Sequence, residues 1–408
     1  MDRENLKLVV LGHVDHGKST LIGRLLYDTA SLPPQKIGEL RRICGKLGSD
    51  VEFAFLLDQF EEERLQRITI DTTQVCFRTK LRDYVIIDAP GHKQFLKNMI
   101  TGASQADAAV LLVDVSQGLG EQSYRHVHML SILGIRKLLV GINKMDLAKF
   151  NQEPFDTLLL EVLSCLQRFD LRPLAVVPIS ARKGDNVANR SLNMPWYSGP
   201  TFLAALDRIA LPALEKNLPL RLPVQDVYRI DGHSVAVGRM VSGTIYLGQK
   251  VVILPRGQNA RIRSVQTFPK HKTRATAGES VGITFSDGAI CQRGQIICTT
   301  ESQPTVSNII AANVFWMDPQ PLKYGQNLTL KLATQEVSCQ VVRIANRTDS
   351  ATFELLDVQA NELADTQVAR VTLRMPVSVC ADSFSFIKEM GRLVLVRRGN
   401  SVAGGIVP

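Results

Sequence analysis

A short run near the start of the chain combines two glycines, a lysine and a hydroxyl in a spacing that suits phosphate. Gly12-His13-Val14-Asp15-His16-Gly17-Lys18-Ser19 fits the pattern GxxxxGK(S/T) and is followed by Thr20. Glycines let such a loop curl until successive N–H groups face one anion, and the helix that follows adds its positive end. Lys18 is placed to reach β- and γ-phosphates, and the Ser19 hydroxyl to ligate Mg²⁺. Asp88-Ala89-Pro90-Gly91-His92 comes second. Asp88 suits the Mg²⁺ shell, and Gly91 can turn its N–H onto a γ-phosphate. Asn143-Lys144-Met145-Asp146 comes third. The Asp146 carboxylate can accept hydrogen bonds from the N1–H and 2-amino group of guanine. Adenine offers no such pair of donors. Asn143 and Lys144 are expected to tie this loop to the phosphate loop and to cover the base. Ser180-Ala181 is expected to present a backbone N–H to the guanine 6-oxygen. Thr69, in Ile68-Thr69-Ile70-Asp71, is expected to offer its hydroxyl to Mg²⁺. His92 is the candidate catalytic residue that orients the attacking water, with Val14 and Ile68 as an apolar gate in front of it. The order and spacing of these motifs imply a GTP- and GDP-binding, Mg²⁺-dependent GTP-hydrolysing chain.

The elements between the motifs have the right character to position them. Leu6–Leu11, Tyr84–Asp88, Ala108–Val113, Lys137–Ile142 and Ala175–Pro178 are short apolar runs suited to parallel strands buried on both faces. Lys18–Leu26 and Gly120–Leu133 have helical length and pattern. A doubly wound α/β P-loop domain over residues 1–212 is therefore expected. Pro212, Pro219 and Pro223 read as linker punctuation. Beyond them, short alternating runs such as Val235–Val241, Thr244–Ile245, Lys250–Leu254 and Arg261–Phe268 are separated by Gly-rich turns. They predict two antiparallel β-barrels, over 213–303 and 304–408, with the break near Glu301–Pro304.

Composition narrows the class. Of 408 residues, 45% are hydrophobic and 21% charged, which excludes a disordered chain. No apolar run approaches the ~20 residues that span a bilayer, so no membrane is expected. The polar start Met1-Asp2-Arg3-Glu4-Asn5 is unlike a secretory signal. The seven cysteines lack zinc spacing and read as reduced thiols of a cytoplasmic protein. A net charge of +9, with Arg256, Arg261, Arg263, Lys270, Lys272 and Arg274 free of intervening acids, permits an acidic or RNA partner.

Taken together, these motifs resemble the translation-factor class of GTPases. Residues 12–20, 88–92 and Asn98-Met99-Ile100-Thr101-Gly102-Ala103 look like elongation factors Tu and 1-alpha. Gly184-Asp185-Asn186-Val187 and Met194–Thr201 are shared by elongation factor 1-alpha and by the large GTPase subunit of bacterial sulfate adenylyltransferase. Asn313–Gln326 is similar to the latter, whereas Gly238-Arg239 and Ser242-Gly243 are closer to the former. The resemblance implies a G domain followed by two β-barrels. On the sulfate-activating side it implies GTP hydrolysis coupled to adenylyl sulfate synthesis on a smaller catalytic partner subunit, in a heterodimer or larger assembly. On the translation side it implies RNA or the ribosome as partner. Arg67 stands where the family's switch pattern has glycine.

Overall fold

The computed structural model describes residues 5–32, 74–87, 106–210, 218–230, 232–267, 270–286 and 288–408. Backbone proximity divides the chain into two compact units, chiefly residues 1–211 and 212–408.

In the first unit, β1 (Asn5–Leu11), β2 (Gln74–Arg78), β3 (Asp83–Ile87), β4 (Ala108–Asp114), β5 (Leu138–Asn143) and β6 (Pro173–Pro178) form one sheet. Their order is β2-β3-β1-β4-β5-β6. Strands β3, β1, β4, β5 and β6 run parallel, as their apolar runs predict. Every residue of β4 and β5 is buried, because helices cover both faces of a parallel sheet. At one edge of the described sheet a further strand, β2, which is not among the runs singled out above, lies antiparallel to β3. This strand carries Gln74, Cys76 and Arg78 among its five residues, and an edge strand needs no continuous apolar run.

Among the described residues, four helices accompany the sheet: α1 (Lys18–Asp28), α2 (Glu121–Ile132), α3 (Gln152–Gln167) and α4 (Phe202–Asp207). Helix α1 buries Leu21, Ile22, Leu25 and Leu26, one stripe at helical spacing. That stripe meets Leu6, Leu8, Val10 and Phe202 in the core of the unit. The side chain of Thr201 caps α4 by accepting from the Ala204 N–H at 3.2 Å.

The second unit holds two antiparallel barrels. The first uses β7 (Arg221–Ile230), β8 (His233–Arg239), β10 (Lys250–Leu254), β11 (Gln258–Thr267), β14 (Ser280–Phe285) and β15 (Ile296–Cys298), with short strands β9 (Thr244–Tyr246), β12 (Lys270–Lys272) and β13 (Arg274–Thr276). Its order β10-β15-β7-β8-β14-β11 is closed by a β10–β11 pairing. The second uses β16 (Thr305–Trp316), β18 (Asn327–Leu332), β19 (Gln335–Asp349), β22 (Gln367–Ala381), β23 (Arg392–Arg397) and β24 (Asn400–Ile406), with β17 (Leu322–Lys323), β20 (Leu355–Ala360), β21 (Glu362–Leu363) and the single turn α5 (Lys388–Gly391). A β18–β19 pairing closes it. Pro223, read above as linker, instead lies within β7 opposite Ile296.

Arg221, at the start of β7, is fully buried and forms a bidentate pair with Asp382 of the second barrel. Its Nη1 also donates to the carbonyls of Leu220 and Ser302. Around this pair, Val252, Leu254, Ile296 and Cys298 pack with Cys380, Ile387 and Met390 in an apolar cluster. The two barrels thus share a dry seam with one charge pair in it. Among the described residues no helix is long and apolar enough to cross a membrane. Cys165, Cys291, Cys298, Cys339 and Cys380 are buried free thiols, and burial pushes them up to about 11 or 12.

Candidate nucleotide site

The candidate residues that the structure describes follow the carboxyl ends of parallel strands. The loop Gly12–Gly17 follows β1, Asn143 closes β5, and Ser180-Ala181 follows β6. Ligands of open α/β sheets bind along this edge, where strand-to-helix loops converge. Asp88, Gly91, His92, Thr69 and the gate residue Ile68 lie outside the described residues. Arg67 does as well.

The phosphate loop needs backbone conformations open mainly to glycine. Gly17, which precedes α1, has φ +89°, and a Cβ there would lie 2.4 Å from Asn143 Nδ2. Gly12 sits where a Cβ would meet the Leu112 carbonyl oxygen at 2.5 Å. Asp15 also adopts a positive φ, 65°. The curled loop holds the Lys18 ammonium, which donates to the carbonyls of Gly12 at 2.9 Å and His13 at 2.7 Å. Ser19 is exposed in the first turn of α1, and Thr20 is half-buried beside it. Val14 is exposed.

His16 serves the loop as a neutral group. His16 is buried, with Nδ1 3.1 Å from the Leu112 carbonyl. A carbonyl only accepts, so Nδ1 carries the proton. Burial depresses this imidazole. His126 of α2 is held down to about 3, by burial first and then by the neighbouring charge of Lys18. His13 lies within ring contact of His16, with centroids 5.5 Å apart.

The loop that starts at Asn143 is braced against the Gly12–Gly17 loop through Asn143 alone of the two residues expected to do so. Asn143 Nδ2 donates to the His16 carbonyl at 2.8 Å, and Asn143 Oδ1 accepts from the Ala181 N–H at 2.9 Å. The Ala181 N–H expected to face a guanine oxygen is thus directed at Asn143. A bound base would have to share it. Asp146 Oδ1 accepts from the Ser180 hydroxyl at 2.7 Å, which fixes the carboxylate plane. Lys144, at φ +64°, reaches Asp114 instead of the phosphate loop, with Nζ–Oδ2 2.8 Å. Trp196 Nε1 donates to the Phe150 carbonyl at 2.9 Å, and Trp196 packs on Phe155.

Asp114, Ser116 and Trp196 were not among the residues singled out from the sequence as site residues. Asp114 carried one signal, an acid directly after the apolar run Ala108–Val113, the position Asp88 holds after its own strand. Ser116 carried none, and Trp196 carried only its place in the family-shared segment Met194–Thr201.

With this geometry in place, relatives can be compared. The family model "Elongation factor Tu GTP binding domain" matches residues 3–213, and "GTP-eEF1A C-terminal domain-like" matches residues 309–408. Elongation factor 1-alpha of Methanoculleus marisnigri is 35% identical over 413 residues, covering 99% of this chain and 97% of that protein. Elongation factor 1-alpha of Metallosphaera sedula is 36% identical, covering 99% and 97%. Sulfate adenylyltransferase subunit 1 of Shewanella oneidensis is 37% identical over 401 residues, covering 96% and 82%. The identity to the two kinds of relative is nearly equal. With more than half of its residues matching that GTP-binding domain, the chain belongs to the elongation factor Tu family of GTPases.

Proposed function

We propose that the chain hydrolyses GTP to drive adenylyl sulfate synthesis from ATP and sulfate on a separate, smaller catalytic subunit. What supports this choice is the 37% identity to sulfate adenylyltransferase subunit 1 of Shewanella oneidensis, together with the resemblance of the sequence Asn313–Gln326 to the sulfate-activating subunit. This segment ends β16 and contains β17. Its Trp316 is fully buried and donates from Nε1 to the Gln320 carbonyl at 3.0 Å, which makes the segment one packed turn.

In the G domain, the backbone of Gly12–Gly17 and the Lys18 ammonium bind the phosphates. Asp146 reads guanine, and Asn143 ties the two loops. Ser19, Thr69 and Asp88 would hold Mg²⁺. Two hydroxyls and a carboxylate are hard oxygen donors that suit this ion, and Ser19 is exposed in the first turn of α1. When bound, the ion neutralises charge on the phosphate oxygens. His92 orients water, and the partner supplies the stimulation.

A second reading, an RNA-binding translation factor, is favoured by one surface. Lys250 and Arg261 lie directly opposite each other on β10 and β11, and both are exposed. Arg263 shares the outward face, and Arg274 pairs with Tyr246 nearby. Like charges placed opposite each other cost stability, and an RNA backbone would offset that cost.

The test mixes the chain with a candidate small subunit, ATP, sulfate and GTP. GTP-dependent formation of adenylyl sulfate is expected. Ribosome-stimulated GTP hydrolysis, with no effect on adenylyl sulfate, would overturn the proposal in favour of the second reading.

A further inference from the structure

The lysine of the guanine-reading loop is held by a group that the nucleotide chemistry does not use. Asp114 ends β4 directly opposite Asn143 at the end of β5, so it stands beside the loop that starts there. It is fully buried. Its Oδ1 accepts from the Ser116 N–H at 2.8 Å and from the Ser116 hydroxyl at 2.7 Å. Those two bonds fix the carboxylate so that Oδ2 faces the Lys144 ammonium at 2.8 Å. The Asn143 carbonyl also accepts from the Val115 N–H at 3.0 Å, which stitches the two strand ends together.

We propose that Asp114 is a positioning residue which, through Lys144, sets how long the guanine nucleotide stays bound. A lysine carries a four-carbon stem with many rotamers, and an unpinned stem makes a poor wall for a flat base. Lys144 is pinned at both ends, by its left-handed backbone at φ +64° and by Asp114 at its ammonium. Its stem is then strapped along the loop that carries Asp146. The charge pair also explains how a carboxylate can be buried at this place. Without Lys144 it would be an uncompensated charge. The inference rests on the reading of Lys144 as cover for the base.

The experiment is a double-mutant cycle on the dissociation rate of a fluorescent GDP analogue from the full chain. Asp114→Asn keeps an oxygen for Ser116 and removes the attraction for Lys144. Lys144→Met keeps a stem and removes the charge. Each single change is expected to speed release about tenfold, a coupling in the usual range for contacting residues. The double variant is expected to be no faster than the faster single one. If the two accelerations multiply instead, Asp114 acts independently of Lys144 and the proposal is overturned while the base-covering role stands. If Lys144→Met releases the analogue at the wild-type rate, that role itself falls. Should Asp114→Asn fold poorly, Ser116→Ala leaves the charge and loosens its aim. It should speed release less, and not at all in the Lys144→Met background. An equal acceleration in both backgrounds counts against the proposal.

Discussion

At the scale of single residues, the base-reading loop separates two carboxylates by what holds them. Asp146 is oriented by a neutral hydroxyl, Ser180, and so keeps its charge for a ligand. Asparagine there would donate where guanine also donates. Asp146→Asn should therefore weaken GTP by about 10²-fold and favour xanthine nucleotides, whose 2-oxo group accepts. Competition binding would show it, and unchanged GTP affinity would refute it. Asp114 is held differently. Burial alone would raise its carboxyl, but hydrogen bonds from Lys144 and Ser116 outweigh burial and hold it below the ordinary value. A carboxyl depressed in the fold adds stability above its unfolded value, and that stability is lost as pH falls through the folded value. The melting temperatures of wild type and Asp114→Asn should thus differ near neutral pH and converge as pH falls below the ordinary carboxylate range. A gap that stays constant over that range would show that the charge contributes nothing.

At the scale of elements, the phosphate loop works because β1, α1 and β5 approach more closely than a side chain allows. Gly17→Ala would strain a backbone at φ +89° by about 1–2 kcal/mol. It would also push Asn143 off its bonds to His16 and Ala181. Nucleotide affinity should fall by at least about 10²-fold, measured by titration with fluorescent GDP. Retained affinity would mean that the loop can re-curl. The strand–loop–helix context was readable because GxxxxGKS is meaningful only between β1 and α1. Strands β4 and β5 were readable because burial on both faces leaves unbroken apolar runs. The missed pieces have physical reasons. β2 is an edge strand with three polar or thiol side chains in its five residues. Asp114 ends its run with a charge, and only the register against Asn143 reveals its partner. Arg221 stood between prolines that suggested a linker, and nothing in its neighbours announces an ion pair far along the chain.

At the scale of the whole molecule, the described barrels have few free edges, because β10–β11 and β18–β19 pairings close them. What joins them is the apolar seam around Arg221 and Asp382. Truncating one partner strands the other charge in a dry place. Arg221→Ala should cost about 3–5 kcal/mol, read by denaturant unfolding of the full chain. Replacing both, Arg221→Met with Asp382→Leu, should cost much less or nothing. Equal losses in the single and double variants would place the energy in packing and not in charge. The pair also has a consequence for dissecting the protein. Arg221 and Asp382 stand 161 positions apart, so a gene fragment that encodes either barrel alone carries half of the pair and half of the apolar seam. Such a fragment would meet water with an oily flank and sequester itself in inclusion bodies. The smallest piece worth expressing for partner screening or display is the barrel pair, and a scissile site engineered between the barrels would nick the chain without releasing either half.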